Sequence, residues 1–200
     1  MPVNKLTDSH FRALGFLPLI FFVAQTIHYW RINELGNMLW MCNIGNLVLA
    51  IGMFLNHSLL IRVAVIWMVP GLVVWLIYVV LAYGVFLSST LAHVGGILVG
   101  VVAIKRVGMD RRAWAYAFVW YLFIQVLSRL ATSPVLNVNL AHSVEPGWRQ
   151  AFNHYWKFWL VLSLVGVILL WIIGLGFHAL WPARSDTGST FSFRRKPRAR

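Results

Sequence analysis

The sequence predicts an all-α membrane protein: a polytopic transmembrane helical bundle of six spans, with both termini cytoplasmic. Two features of the 200-residue chain predict this class. Hydrophobic residues make up 60% of the chain and charged residues 11%, whereas a soluble domain carries about 25% charged residues. The apolar residues also form continuous runs of about 20 residues, the length of helix that crosses about 30 Å of hydrocarbon. Because the runs are continuous and do not alternate, they are not the strands of a transmembrane barrel.

Six apolar runs give the predicted spans in chain order. They cover residues 13–30, 37–55, 59–81, 88–107, 113–131 and 156–181. Tyr29 and Trp30 close the first span as an interfacial anchor, and Pro70 with Gly71 predicts a kink in the third. The transmembrane domain therefore covers residues 13–181, between a cytoplasmic N-terminal segment, 1–12, and a basic, disordered cytoplasmic tail, 182–200.

The basic residues set the predicted orientation. Of the 17 Lys and Arg residues, only Arg31, Arg129, Arg149 and Lys157 fall on the side opposite the two termini. Basic residues accumulate on the cytoplasmic side of a membrane, so both termini are predicted to be cytoplasmic, in a bacterial-type plasma membrane. The net charge of +12 then reflects orientation, and no nucleic-acid partner is predicted. The basic tail is predicted to contact anionic lipid of the inner leaflet.

Cys42 and His93 are the predicted chemical centre of the molecule. Each lies five residues after the start of a span that runs inward, the second and the fourth. At 1.5 Å per residue, both are predicted to lie roughly 8 Å below the outer boundary. A thiol attacks as its thiolate, and an imidazole can accept the thiol proton. This pattern favours a cysteine nucleophile with a histidine base.

Four further residues form the predicted substrate-binding or oxyanion-supporting set. Asn43 and Asn46 follow Cys42 on the same helix, and their amides could donate to a developing oxyanion. His28 ends the first span on the same side of the membrane, and His142 lies in the outer loop. The predicted site therefore gathers near the outer face.

Each of these residues also has a plainer interpretation. A lone cysteine in a membrane helix is often a small, unreactive hydrophobic residue. His93 and the two asparagines can simply join helices by hydrogen bonds, and Arg129 can reach Glu34 at the outer rim. The fourth span also carries a ridge of small residues that permits close helix packing: Ala92, Gly96 and Gly100.

The segment of residues 132–155 is the one long loop, and it is predicted to lie outside. Pro146 can start a short helix there, which would place Trp148 and Phe152 on one face. Such a helix either lies on the lipid headgroups or covers the outer half of the bundle as a lid.

Three segments carry a resemblance to a known family. WMCNI (40–44), WMVPG (67–71) and HVGG (93–96) follow each other in the second, third and fourth spans. This arrangement resembles the YwaF/TMEM164-like family of integral membrane proteins over roughly residues 35–181. The resemblance implies acyl transfer to lysophospholipids, the activity in which the cysteine and histidine of the animal members are implicated. Those two roles would fall on Cys42 and His93.

These observations lead to one main hypothesis and two alternatives. The main one is a thiol-dependent lipid acyltransferase or hydrolase, with a membrane lipid as acyl donor and acceptor and without a metal or another cofactor. The first alternative is a non-enzymatic protein that binds haem or a metal through outer-face histidines: His28, His93, His142 and His154. The second is a subunit or assembly factor of a membrane complex. Transport is disfavoured, because the spans contain no Asp or Glu for coupling and no visible inverted repeat.

Overall fold

A computed structural model of the chain describes residues 7–81 and 84–183, which form a helical bundle without a β-strand. Its α-helices, in chain order, are α1 (Asp8–Leu14), α2 (Phe16–Arg31), α3 (Met41–Phe54), α4 (Ser58–Val80), α5 (Leu87–Thr90), α6 (Gly96–Val107), α7 (Ala113–Ala131) and α8 (Tyr155–Leu180). A π-helical turn, Leu91–Gly95, joins α5 to α6. Three short 3-10 turns complete the order: Leu35–Leu39, Val138–Leu140 and Pro146–Trp148.

Five helical stretches of the described residues are long and apolar enough to cross a membrane. They are Asp8–Arg31, Ser58–Val80, Leu87–Val107, Ala113–Ala131 and Tyr155–Leu180. The prediction of an all-α, multi-pass membrane protein is thereby confirmed. The remaining helix, α3, has 14 residues, so it covers about 21 Å of the roughly 30 Å of hydrocarbon. Six complete spans are therefore not established.

The predicted second span, residues 37–55, differs most from the structure. Leu35–Leu39 form a 3-10 turn, and Trp40 is extended (φ −56°, ψ 133°) before α3 begins at Met41. Asn37 stabilises this turn, because its Nδ2 donates to Glu34 Oε2 at 2.8 Å and its Oδ1 accepts from Trp40 Nε1 at 3.2 Å. Side-chain hydrogen bonds of this local kind compete with helix formation. The apolar composition of residues 37–40 therefore overstates the helix.

The other predicted boundaries lie within a few residues of the observed ones. The helix of the first span begins earlier, at Asp8, inside the predicted segment 1–12, and Gly15 separates α1 from α2. The third span, α4, continues as one helix through Pro70, where the sequence predicts a kink. The tail prediction falls mainly on residues 184–200, which lie outside the described residues.

Helix α4 lies at the centre of the bundle and packs against α3, α6, α7 and α8. Its apolar residues surround the whole helix, as expected for a helix that meets protein on several sides and lipid elsewhere. The buried residues of α4 lie in its N-terminal half: Ile61, Val63, Ala64, Val65, Ile66, Trp67 and Met68. The indole Nε1 of Trp67 donates to Ala117 O of α7 at 3.0 Å, so this apolar core also contains a satisfied polar group.

Because consecutive long helices run in opposite directions, the bundle has two distinct ends. At one end, which we call the basic end, Arg62 Nε donates to Gly108 O at 2.8 Å and Arg106 pairs with Asp8. Ala183, the last described residue, also lies at this end, because its N–H donates to the backbone carbonyl of the residue that follows Gly108. At the other end, which we call the outer-loop end, residues 132–154 connect α7 to α8. Helix α3 begins at this second end.

Candidate functional site

Cys42 lies in the first turn of α3 and packs against α4. Its side chain is half-buried, and a Cβ placed on Gly71 would come within 2.8 Å of Cys42 Cβ. Glycine at residue 71 therefore makes room for the cysteine between the two helices. The sequence predicts Cys42 beyond the first turn of its span, but the later start of α3 places it inside that turn. There the partial positive charge of the helix dipole is strongest.

The backbone N–H groups around Cys42 differ in their partners. The Met41 N–H donates to Asn139 Oδ1 at 3.1 Å, and the Asn43 N–H donates to Trp40 O at 2.9 Å. In the part of the chain that the structure describes, the Cys42 N–H has no such partner. An unoccupied N–H at a helix start favours negative charge beside it.

Asn46 joins the cysteine helix to the turn that carries His93. Its Nδ2 donates to Cys42 O at 3.0 Å and to Ala92 O at 2.9 Å. Since a carbonyl only accepts, the amide nitrogen must face both oxygens, and Oδ1 then faces Gly96. Asn46 is fully buried, with both of its N–H hydrogens occupied. It holds the helices together in this structure, and a role towards an oxyanion would require one of these bonds to be released.

The π turn provides the carbonyl that Asn46 binds. The Gly96 N–H reaches the carbonyls of Leu91 and His93 instead of the Ala92 carbonyl, which would accept it in a regular α-helix. The Ala92 oxygen is therefore left for the asparagine. Turns of this kind add one residue to a helix and occur frequently at functional sites.

The predicted ridge of small residues lies where α6 and the π turn meet α3 and α4. A Cβ on Gly96 would lie 2.5 Å from Asn46 Oδ1, and a Cβ on Gly100 would lie 3.1 Å from Val65 Cγ2. Ala92, the third member, is buried. The prediction of close helix packing is confirmed at Gly96 and Gly100.

His93 is buried in the π turn, and its ring is oriented from two sides. Nδ1 lies 2.8 Å from Ser89 O, and because the carbonyl only accepts, Nδ1 carries the hydrogen. Nε2 of the neutral ring then has the free lone pair. Trp75 of α4 stacks on the imidazole with a centroid separation of 5.4 Å and an interplanar angle of 13°. A ring held in one orientation and one tautomer is suited to accept a proton.

Cys42 and His93 approach the same face of α4. Cys42 contacts Gly71, and His93 stacks on Trp75, which is one helical turn further along. Asn46 connects the backbone at Cys42 to the residue before His93. The hydrogen bonds of residues 7–81 and 84–183 do not include one between Cys42 Sγ and the His93 ring. The two residues therefore lie on adjoining, directly connected turns, without a direct hydrogen bond.

The structure places Tyr29 near Cys42 and Gln25 near Tyr29, and neither residue belongs to the predicted site. The Tyr29 hydroxyl lies close to the Gln25 and Asn43 side chains and within electrostatic range of Cys42. Gln25 Oε1 and Asn43 Oδ1 are buried and have no hydrogen-bond partner among the described residues. The i, i+4 spacing of Gln25 and Tyr29 on one helix is the sequence signal for this pair.

The other predicted histidines lie apart from this cluster. The His28 ring packs against Phe86, with centroids 4.9 Å apart. His142 Nε2 lies 3.1 Å from Thr132 Oγ1 within the outer loop, and His154 is exposed before α8. Across residues 7–81 and 84–183, no group of three or more His, Cys, Asp or Glu side chains is arranged to hold a metal ion.

Two asparagines shape the outer loop. Asn137 and Asn139 have φ angles of 42° and 53°, in the left-handed region that asparagine tolerates better than most residues. Asn137 Oδ1 accepts the N–H groups of His142 and Ser143, each at 3.0 Å, so it organises the loop itself. Asn139, in contrast, is inserted between helices. Neither residue is singled out by the sequence analysis.

The aromatic part of the outer loop lies against α8. Trp148 and Phe152 pair as predicted, with ring centroids 6.2 Å apart, although Pro146–Trp148 is a 3-10 turn and not an α-helix. The Phe152 ring meets Phe158 of α8 edge-on at 5.4 Å. An apolar groove of about 210 Å³ lies between these rings and α8, and it is lined by neither Cys42 nor His93.

The predicted contact between Arg129 and Glu34 is wrong. Arg129 Nη1 donates to Ala141 O at 2.6 Å, and its guanidinium lies 4.9 Å from the centre of the Tyr155 ring. Glu34 accepts from Asn37 instead. The loop carbonyl and the aromatic ring hold the arginine at the end of α8.

No family model matches the chain, and comparison with the curated proteins and with the solved structures gives no match either. The similarity to the YwaF/TMEM164-like family therefore stays a prediction from the three sequence segments.

Proposed function

We propose that the chain is a multi-pass membrane enzyme that transfers an acyl group from a membrane lipid through Cys42, with His93 as the general base. One observation carries the proposal: Asn46 binds both Cys42 O and Ala92 O, and so connects the cysteine turn directly to the histidine turn. The tautomer of His93 supports it, because Nδ1 is bound to Ser89 O and Nε2 is left to accept a proton.

The proposed reaction has two steps. His93 Nε2 takes the thiol proton, and Cys42 Sγ attacks the ester carbonyl carbon of the lipid. The C–O bond then breaks, and the departing alcohol receives the proton from the imidazolium, which leaves a thioester. In the second step an acceptor hydroxyl or water attacks the thioester carbonyl carbon and gives its proton to His93; the C–S bond breaks, and the Cys42 thiolate takes the proton back from the imidazolium. The two side chains must approach each other for this, as catalytic contacts in unliganded enzymes are often longer than in the reacting complex.

The negative oxygen that forms in both steps needs hydrogen-bond donors. The Cys42 N–H is such a donor, because it is unoccupied among the described residues and lies at the positive end of α3. Tyr29 is a second candidate, with its hydroxyl near Cys42. Asn43 can contribute after rotation of its amide, whose Nδ2 now donates to Asn37 O at 2.9 Å. His28 and His142 would act on the headgroup side.

Cys42→Ser and His93→Ala test this function. Each variant is expected to abolish the change in lipid composition that expression of the wild-type chain causes, measured by mass spectrometry of membrane lipids. His154→Ala is the matched control, because His154 is exposed and outside the cluster. Lipid profiles that match wild type in Cys42→Ser and His93→Ala, at equal abundance of folded protein, would rule out the mechanism.

The proposed orientation places the basic end in the cytoplasm of a bacterial-type plasma membrane. It is supported by the distribution of basic residues, thirteen of the 17 being on the side of the termini. In a Cys42→Ala background, Val135→Cys and Arg111→Cys place single thiols on exposed residues at opposite ends. A membrane-impermeant maleimide should label the first in intact cells and the second only after lysis. The reverse pattern would invert the orientation.

A metal- or haem-binding protein is the alternative from a different class. The geometry gives it no support, because the described histidines do not form a cluster with other ligands. Elemental analysis and an absorption spectrum of the purified protein would decide the matter: a stoichiometric metal or a haem band would favour this alternative over the thiol enzyme.

A further inference from the structure

Asn139 connects the outer loop to the start of the cysteine helix. It lies 98 residues along the chain from Met41 and is 6% exposed. Its backbone adopts the left-handed conformation (φ 53°, ψ 22°), which turns its side chain between α7 and the 3-10 turn before α3. Residues with this backbone conformation and a buried polar side chain are uncommon outside functional or structurally constrained positions.

Every polar group of this side chain has a defined partner. Oδ1 accepts the Met41 N–H at 3.1 Å, and Nδ2 donates to Leu39 O at 2.7 Å and to Ser128 Oγ at 2.8 Å. Gln125 Nε2 also donates to the Asn139 backbone carbonyl at 2.7 Å. Because one partner is a carbonyl and another is an N–H, the orientation of the amide is determined by chemistry.

These bonds supply the N-cap that α3 lacks locally. The side chain of Trp40, the residue before the helix, makes no capping hydrogen bond. Asn139 instead binds the two neighbours of Trp40, Leu39 and Met41. The first N–H of the helix is thereby occupied, while the next one, of Cys42, stays unoccupied among the described residues. The position of that N–H relative to the thiol depends on the conformation of this single turn.

We propose that Asn139 is a positioning residue for Cys42: by binding Leu39 and Met41 it holds the first turn of α3, which carries the thiol, in one conformation. The outer loop is then a structural part of the cysteine site. The inference rests on the proposed function and deepens it, because it names the residue that positions the attacking thiol. The geometry on which it depends can be tested without any lipid substrate.

The test uses the fact that Cys42 is the only cysteine in the chain. Its rate of reaction with methyl methanethiosulfonate and its S–H stretching band can therefore be measured without background from other thiols. Asn139→Gly keeps the left-handed backbone and removes the cap. Asn137→Gly is the matched control, because Asn137 has the same backbone conformation but bonds only within the loop.

Asn139→Gly is expected to lower the reaction rate about tenfold, the effect of losing a good N-cap on a local equilibrium. It should also shift the S–H band, whereas Asn137→Gly should leave the rate within about twofold of wild type and the band unchanged. An unchanged or increased rate in Asn139→Gly would overturn the proposal, since an increase would mean that the loop only shields the thiol. An equal decrease in both glycine variants would overturn it too.

Ser128→Ala provides the test if Asn139→Gly does not fold. It removes one hydrogen bond to the Asn139 amide from the α7 side and leaves the loop and α3 unaltered in sequence. A smaller decrease in the rate, with a band shift in the same direction as proposed for Asn139→Gly, supports the role of Asn139. A wild-type rate and band in Ser128→Ala would count against it. Because no readout requires acyl transfer, loss of the proposed enzyme function would not affect this result.

Discussion

Replacing Gly96 with alanine tests the connection between the cysteine turn and the histidine turn. A Cβ at residue 96 would lie 2.5 Å from Asn46 Oδ1 and 3.3 Å from Asn46 Cγ. Both residues are buried, so the amide must move away from the helix. Its bonds to Cys42 O and Ala92 O, now 3.0 and 2.9 Å, would then lengthen or break.

The expected cost follows from three contributions. The bond from Asn46 to Ala92 O joins two helical segments, and such a bond contributes about 0.6 kcal/mol on average, while forcing an extra methyl group into a closed site costs about 1–3 kcal/mol. Alanine gains about 0.5–1 kcal/mol over glycine in a helix. Gly96→Ala should therefore lower the free energy of unfolding by about 2 kcal/mol.

Equilibrium unfolding by sodium dodecyl sulfate titration in mixed micelles measures this change. Gly176→Ala is the matched control, because a Cβ there would meet no atom within 4 Å, and it should be neutral or slightly stabilising. In an Asn46→Ala background, the alanine at residue 96 should cost less than about 0.5 kcal/mol. An equal loss of stability in both backgrounds would show that contact with Asn46 is not the cause and would refute the reasoning.

Three further substitutions test other contacts by the same unfolding assay. Trp75→Leu removes the ring that stacks on His93 and should cost about 1 kcal/mol; a neutral result would mean that the stacking does not hold the imidazole. Arg62→Gln removes a charged donor to Gly108 O and should cost about 1–2 kcal/mol, whereas exposed Arg111→Gln should stay within about 0.5 kcal/mol. Gly108→Ala should cost more than about 2 kcal/mol, because φ is 67° and its Cβ would lie 2.6 Å from the backbone that follows α8; wild-type stability would contradict that geometry.

The sequence predicts the long helices well because hydrocarbon leaves a clear compositional pattern. The predicted span 113–131 coincides with Ala113–Ala131, and the span 156–181 differs from Tyr155–Leu180 by one residue at each end. The second span fails for a local reason: Asn37 bonds to Glu34 and Trp40 and stabilises a 3-10 turn in an apolar sequence. Composition does not register such side-chain competition.

The candidate site is less predictable, because its decisive bonds join residues far apart in the chain. The sequence places Cys42, Asn46 and His93 near one face, but the bond from Asn46 to Ala92 O depends on a π turn that no local propensity predicts. Likewise, Asn139 binds Met41 across 98 residues. Its left-handed conformation is compatible with asparagine but is not dictated by it.

The π turn has a consequence for how the fourth long helix can vary in length. One additional residue corresponds to about 100° of rotation about the helix axis, so the parts of Leu87–Val107 before and after the turn have different angular phases. Deleting a residue such as Val94 would restore a uniform ladder, return the Ala92 carbonyl to it and rotate His93 away from Trp75. The number of residues between Leu87 and Gly100 is therefore a constraint on this fold in its own right.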